Sequence, residues 1–317
     1  MSSPEFSRYR RDLEKLAATG LAAARRGSVV DEATARAVAA AQLLLRNDPD
    51  LYVSLVEGFE YLSKVGSGGV QGDGQMSPQA AVDVLSLHLH IRAFNERYEQ
   101  LPPGVWSACE DRLAAVVEGA REIEAYGDVP PPADLTDMVL WRALCLLDQA
   151  EATRRDVDVE LIDGIVHQAI NQPAAHPAGS GCQSEEKVCP EMGRDFQPLR
   201  GRVGQESEAL WTLRDLRGLH ALANLALSRR AGAWARRVRE IASYHVEHTP
   251  PEMTQTQPWA LFAFAWAVPG TRFAEEQVRL VRAAGESNGT QIGPLAALLL
   301  ADAVSAMRAF DATEGTA

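Results

Sequence analysis

The chain has 317 residues, 46 % of them hydrophobic, and a formal net charge of −12. That length can bury a substantial core as one large domain or two ordinary ones, and the apolar fraction is that of a soluble globular protein. An acidic balance of this size argues against general binding to nucleic acid or to an anionic membrane.

The N-terminal stretch MSSPEFSRYRRDLEKL has no apolar signal core, and no run reaches the roughly 20 apolar residues of a membrane span. The strongest, Pro294 to Val304, is too short. A cytoplasmic location is expected, with the four cysteines as thiols. Sustained period-2 alternation is missing, whereas helical periodicity recurs along the chain. Phe6, Tyr9, Leu13 and Leu16 form a first stripe, Trp106, Cys109, Leu113 and Val116 a second, and Leu135, Met138, Trp141 and Cys145 a third. Ser3-Pro4, Asp48-Pro49 and Ser77-Pro78 each set a capping side chain before a proline suited to a first helical turn. The predicted helices, in order, span 4–26, 31–46, 49–64, 78–100, 103–126, 134–150, 158–171, 206–228, 231–248, 257–268, 272–284 and 292–310.

Two stretches interrupt them. KVGSGGVQGDGQMS, residues 64–77, has five glycines without the GxGxxG spacing or a preceding strand, so it reads as a connector and not as a phosphate cradle. The segment 172–204 exceeds the roughly 15 residues beyond which an irregular loop is usually a lid, a binding loop or disorder. It separates an acidic helical portion, 1–171, from a nearly neutral one, 205–317, within what is expected to be one continuous domain.

The expected fold is all-α, about twelve antiparallel helices arranged as six hairpins. A closed α/α toroid is favoured over an open α-solenoid, and no fixed repeat motif marks a consensus solenoid. By helix count the chain resembles the α/α-toroid superfold of terpenoid cyclases and protein prenyltransferases. Their motifs do not accompany the resemblance. DVDVE, with Asp156, Asp158 and Glu160, lacks the adjacent aspartates of DxDD, and neither DDxxD nor a glutamine–tryptophan repeat occurs. Acidic residues in a helix's first turn account for that stretch.

The candidate site residues lie late in the chain. In helix 231–248, Trp234, Val238 and Ile241 mark an apolar face that His245 and His248 continue, given about 100° per residue. An inward imidazole needs a hydrogen-bond partner, a metal or a ligand. Pro250-Pro251 ends this helix, TQTQPW follows, and Thr256 or Gln257 caps a helix with Pro258 in its first turn. Trp259, Phe262 and Trp266 then share one face beside the polar lip. In helix 206–228, apolar around most of its circumference, Arg217, His220 and Asn224 fall within about 60° of one another. Such a seam must be satisfied by a neighbour or by something bound; it could hold a carboxylate or phosphate, with His220 as general acid or base.

Other clusters point elsewhere. Arg229, Arg230, Arg236, Arg237 and Arg239 read as a solvated face, with Arg236 and Glu240 an i, i+4 pair. His88 and His90, two apart on a helix, diverge and cannot chelate one ion. His245 and His248 could supply half a zinc site that His176, Cys182 and Cys189 would complete, but the loop's His-x5-Cys-x6-Cys is not a standard spacing; a Cys182–Cys189 disulfide is the alternative in an oxidising compartment, and no metal ligand is assigned. No Ser/His/Asp set, P-loop, HExxH or CxxC is visible.

Two functions follow. In the first, the protein binds a small molecule, or acts on it as a lyase or transferase, in a polar–aromatic pocket on the C-terminal helices. His220 and His245 are then the catalytic candidates; Arg217, Asn224, His248, Gln257 and Trp259 are the ligand contacts, and 172–204 is the lid. In the second, the chain is a non-catalytic helical scaffold for a protein partner.

Overall fold

The computed structural model describes residues 4–26, 136–153, 159–171, 197–202, 205–254, 257–287 and 292–314, with residues 38, 39, 42, 45, 88 and 89 besides. Among these residues the secondary structure is helical throughout: eight α-helices and two short 3-10 turns. They are α1 (Pro4–Arg26), α2 (Thr136–Thr153), α3 (Val159–Ile170), α4 (Glu208–Arg229), α5 (Gly232–His248), α6 (Leu261–Ala267), α7 (Phe273–Ser287) and α8 (Pro294–Glu314). Each matches a predicted helix to within a few residues. The helices expected over 31–46, 49–64, 78–100 and 103–126 lie largely or wholly outside the described residues, as do the connector 64–77, His90, Cys109, His176, Cys182 and Cys189. No described helix is long and apolar enough to cross a membrane.

Local chemistry explains the boundaries. Ser207 caps α4, its hydroxyl accepting the Leu210 N–H at 3.3 Å, as short polar side chains do at helix starts. The helix ends where Arg230 turns into the left-handed region at φ 50°. Pro250 and Pro251 stop α5 by withholding donors, and Thr249 ends it in extended backbone. The helix predicted from Gln257 begins only at Leu261, because Ala260 adopts φ 59°. Tertiary hydrogen bonds explain this: the Ala260 N–H goes to His220 Nδ1 at 3.3 Å, and the Trp259 carbonyl accepts from Gln277 Nε2 at 3.1 Å. These bonds hold Trp259 and Ala260 in the turn, and a residue at positive φ cannot be part of a right-handed helix.

Among the described helices, burial alternates in order. In α2, α4, α6 and α8 nearly every described side chain over long stretches is buried, whereas α1, α3, α5 and α7 are amphipathic, with an exposed face. Helices apolar all round belong in the interior, and striped ones at its boundary. The seven residues of α6, LFAFAWA, contact α4, α5, α7 and α8. At the other end of the sequence, α1 lies antiparallel along α8. Arg10 pairs with Asp311 and Arg308 with Glu14, while a Cβ on Gly20 would stand 3.2 Å from Ala297 Cβ.

Within the stretch 172–204 expected to act as a lid, residues 198–201 are tucked in. Pro198, Leu199, Arg200 and Gly201 are buried. Leu199 fills the space beside Gly218 of α4, where an added Cβ would come within 2.2 Å of Leu199 Cδ2. Arg237 holds the segment from α5, donating to the carbonyls of Gln197 and Pro198. Arg237 also pairs with Glu240, the role predicted for Arg236; Arg236 and Arg239 are exposed.

Candidate functional site

Most of the buried polar groups lie on the interior helices, and they gather mainly in two places along α4. The first surrounds His220, which is 2 % exposed. Its Nδ1 accepts the Ala260 N–H, and an amide hydrogen can be accepted only by an unprotonated ring nitrogen. The ring proton therefore sits on Nε2, 2.7 Å from Asp302 Oδ2 and off the ideal hydrogen-bond line, so that contact is chiefly electrostatic. One turn along, Asn224 Nδ2 donates to the same Asp302 oxygen at 3.3 Å and to the His220 carbonyl at 3.1 Å.

Asp302 is shared. Its other oxygen lies 3.4 Å from His88 Nε2, and His88 Nδ1 meets Asp148 Oδ2 at 2.5 Å. The result is a buried alternation of carboxylate and imidazole, Asp148–His88–Asp302–His220, drawn from α2, from residue 88, from α8 and from α4. Aromatic rings enclose its last member. Trp141 stacks on the His220 ring with centroids 5.5 Å apart and 16° between planes. Trp259 meets His220 edge-on at 5.4 Å and Trp141 edge-on at 6.0 Å. Both indole N–H groups are satisfied, Trp141 by the Arg217 carbonyl and Trp259 by Gln257 Oε1, as buried indoles usually are.

The second place is centred on Asp215, which is fully buried. Its carboxylate accepts the N–H groups of Leu199 at 3.1 Å and Arg200 at 2.9 Å, and faces His245 Nε2 at 2.7 Å. On the far side of the ring, His245 Nδ1 lies 2.7 Å from Thr249 Oγ1. Asp215 therefore fastens residues 199 and 200 to α4 and orients an imidazole of α5. Between the two places, Arg217 donates to Asp137 Oδ2 through Nε and NH2, at 3.1 and 2.6 Å.

Of the residues singled out from sequence, Arg217, His220, Asn224, His245 and Trp259 are buried, and His220, Asn224, Trp259 and Gln257 belong to one cluster. Arg217 and the His220–Asn224 pair do not share a carboxylate: the first holds Asp137, the others Asp302, both the chain's own. His248 departs from expectation. It is exposed, stacks on Tyr244 at 4.4 Å and bonds the Tyr244 carbonyl through Nδ1. Four residues, not three, carry the inward face past His245, and Thr249 takes the place expected of His248. Sequence reasoning missed Asp137, Asp148, Asp215, Asp302 and Thr249. One signal was present: Asp302 is a lone charge within LAALLLADAVSAM, and a charge inside an apolar helix needs a buried partner.

Among the described residues, no group of three or more His, Cys, Asp or Glu side chains is arranged to hold a metal ion. Comparison with protein-family models, with curated proteins and with solved structures found no match to this chain.

Proposed function

We propose that the protein binds a small molecule where the polar faces of its interior helices meet, at the cluster of His220, Asp302, Asn224, Trp141 and Trp259. The carrying observation is the buried Asp148–His88–Asp302–His220 alternation. A scaffold gains little from it, since well-packed apolar residues serve helix packing as well or better than buried ion pairs. Ionisable groups gathered in a dry interior are a mark of functional sites. The left-handed backbone at Ala260, against His220, adds local strain of the kind functional sites retain. In this reading Trp141 and Trp259 give the ligand an apolar wall and the Asp302-backed Nε2–H of His220 orients it; acid–base chemistry of the lyase or transferase type further requires Nδ1 to be released from the Ala260 N–H.

The architecture we propose around this cluster is a closed α/α toroid of hairpins. Two features support it over an open solenoid: the alternation of interior and amphipathic helices in chain order, and the packing of α1 on α8, helices that an open stack would hold far apart.

A thermal-shift screen against a panel of small organic acids, alcohols and amines tests the binding reading, with tryptophan emission as a second readout. A compound present at 100 times its dissociation constant stabilises the folded state by about 2.7 kcal/mol. At least one should raise Tm in the wild type and lose that effect in His220→Gln. A panel without effect, or a shift that survives in the variant, rejects the site and favours the helical scaffold, in which the seam serves only to join helices.

A further inference from the structure

We propose that Thr249, His245 and Asp215 form a nucleophile–base–orienter relay that takes an acyl group from a carboxylic ester onto the Thr249 hydroxyl. This second centre involves none of the residues that hold the proposed ligand at His220.

The argument begins with donors and acceptors. Asp215 is fixed by two backbone N–H groups, one on each oxygen, so its charge has a set position and direction. Its Oδ2 faces His245 Nε2 at 2.7 Å, which places a ring proton on Nε2. In the neutral ring, Nδ1 then carries the lone pair, and the group 2.7 Å from it is the Thr249 hydroxyl. The hydroxyl proton is therefore aimed at a base whose tautomer and orientation a buried carboxylate sets. That is the logic of a hydrolytic triad, which is defined by geometry and roles and not by sequence order.

Two further features fit. His245 lies in the last turn of α5, so Thr249, four residues on, falls at the helix end where the chain turns away. Thr249 is itself 5 % exposed and sits between exposed His248 and Pro250, so acylation requires only its own hydroxyl to be uncovered.

The chemistry balances without a cofactor. Thr249 Oγ1 bonds to the ester carbonyl carbon as its proton passes to His245 Nδ1. The bond from that carbon to the alcohol oxygen breaks, and the departing alcohol takes the proton from Nδ1. Water then attacks the threonyl ester, giving its proton to Nδ1, and the carboxylic acid leaves as Thr249 Oγ1 recovers the proton. A helix carbonyl end does not stabilise an oxyanion, so acylation is expected to be slow, and covalent labelling is a more sensitive readout than turnover.

The test treats the full chain with p-nitrophenyl acetate and locates acetyl groups by peptide mass spectrometry. Peptide mapping separates this acetyl from those on Lys15, Lys64 and Lys187 and on cysteine and tyrosine side chains. Acetyl should appear on Thr249 in the wild type, persist on the new hydroxyl in Thr249→Ser and vanish from this position in Thr249→Val, a near-isosteric change that leaves the Asp215–His245 contact in place. In His245→Gln it should form roughly a hundredfold more slowly. If that variant does not fold, the wild-type pH profile decides: labelling should rise and then level off once the base is neutral. No acetyl on Thr249, undiminished labelling in a folded His245→Gln, or a rate that keeps climbing tenfold per pH unit would overturn the relay and leave His245–Thr249 as a helix cap.

Discussion

Asp302 meets two imidazoles and a carboxamide in an interior where it is fully buried. Removing one member of such a set leaves the others charged or polar without a counterpart, which costs about 3–5 kcal/mol when a buried pair is broken. Asp302→Ala should lose that much in urea denaturation; a loss under about 1 kcal/mol would mean the seam contributes no more than a surface ion pair. The sequence shows that α4 carries a polar seam on an apolar helix, but not what answers it. Asp302 is 82 residues from His220 and Asp137 is 80 residues from Arg217, and no local periodicity connects positions so far apart. His245 illustrates the converse. Its inward direction follows from Trp234, Val238 and Ile241, whereas the exposure of His248 depends on where the chain turns after it.

Helix boundaries were most legible where the signal is local. The predicted span 4–26 coincides with α1, and Pro250-Pro251 marks the stop of α5. The start of α6 was hidden because His220 and Gln277, 40 and 18 residues from the groups they bind, hold the Trp259–Ala260 turn. Contact between elements is equally specific. α1 approaches α8 closely at Gly20, where an added Cβ would meet Ala297 Cβ at 3.2 Å and Ile292 Cβ at 3.4 Å. Gly20→Ala should be nearly neutral, since the roughly 1 kcal/mol gained in helix propensity offsets the tight fit. Gly20→Val adds branched bulk that a small shift cannot absorb and should cost about 1–3 kcal/mol in thermal or chemical unfolding. Equal effects of the two would show that the helices part easily.

At the scale of the molecule, burial of ionisable acids sets a limit at high pH. Desolvation pushes the Cys145 thiol well above its ordinary 9.0, and Asp148 adds to the shift. Burial likewise raises the Tyr9 phenol above 10.0, with the charge of Glu275 second, and raises the half-buried Tyr244. In the unfolded chain these groups release protons at their ordinary values, while the folded chain keeps them. Unfolding thus releases protons, and their contribution to stability, complete below pH 9, falls as pH rises through 9 and 10. Cys145 and Tyr9 should each lower stability by up to about 1.4 kcal/mol per pH unit. A denaturation series from pH 8 to 11 checks this, and Cys145→Ala should delay the first part of the decline. The all-α class could be read from periodicity at this scale, whereas the alternation of interior and boundary helices emerges only from the packing.

The pairing of α1 with α8 bears on how the polypeptide is made. Ala297 follows Gly20 by 277 residues, so at about 5–20 residues per second a ribosome needs tens of seconds to deliver the surface on which α1 rests. Throughout that interval Leu13, Ala17 and Leu21, fully buried in the finished protein, have nothing of α8 to lie against. The apolar face of α1 must therefore wait for α8, and their pairing is a late event however quickly the intervening helices form.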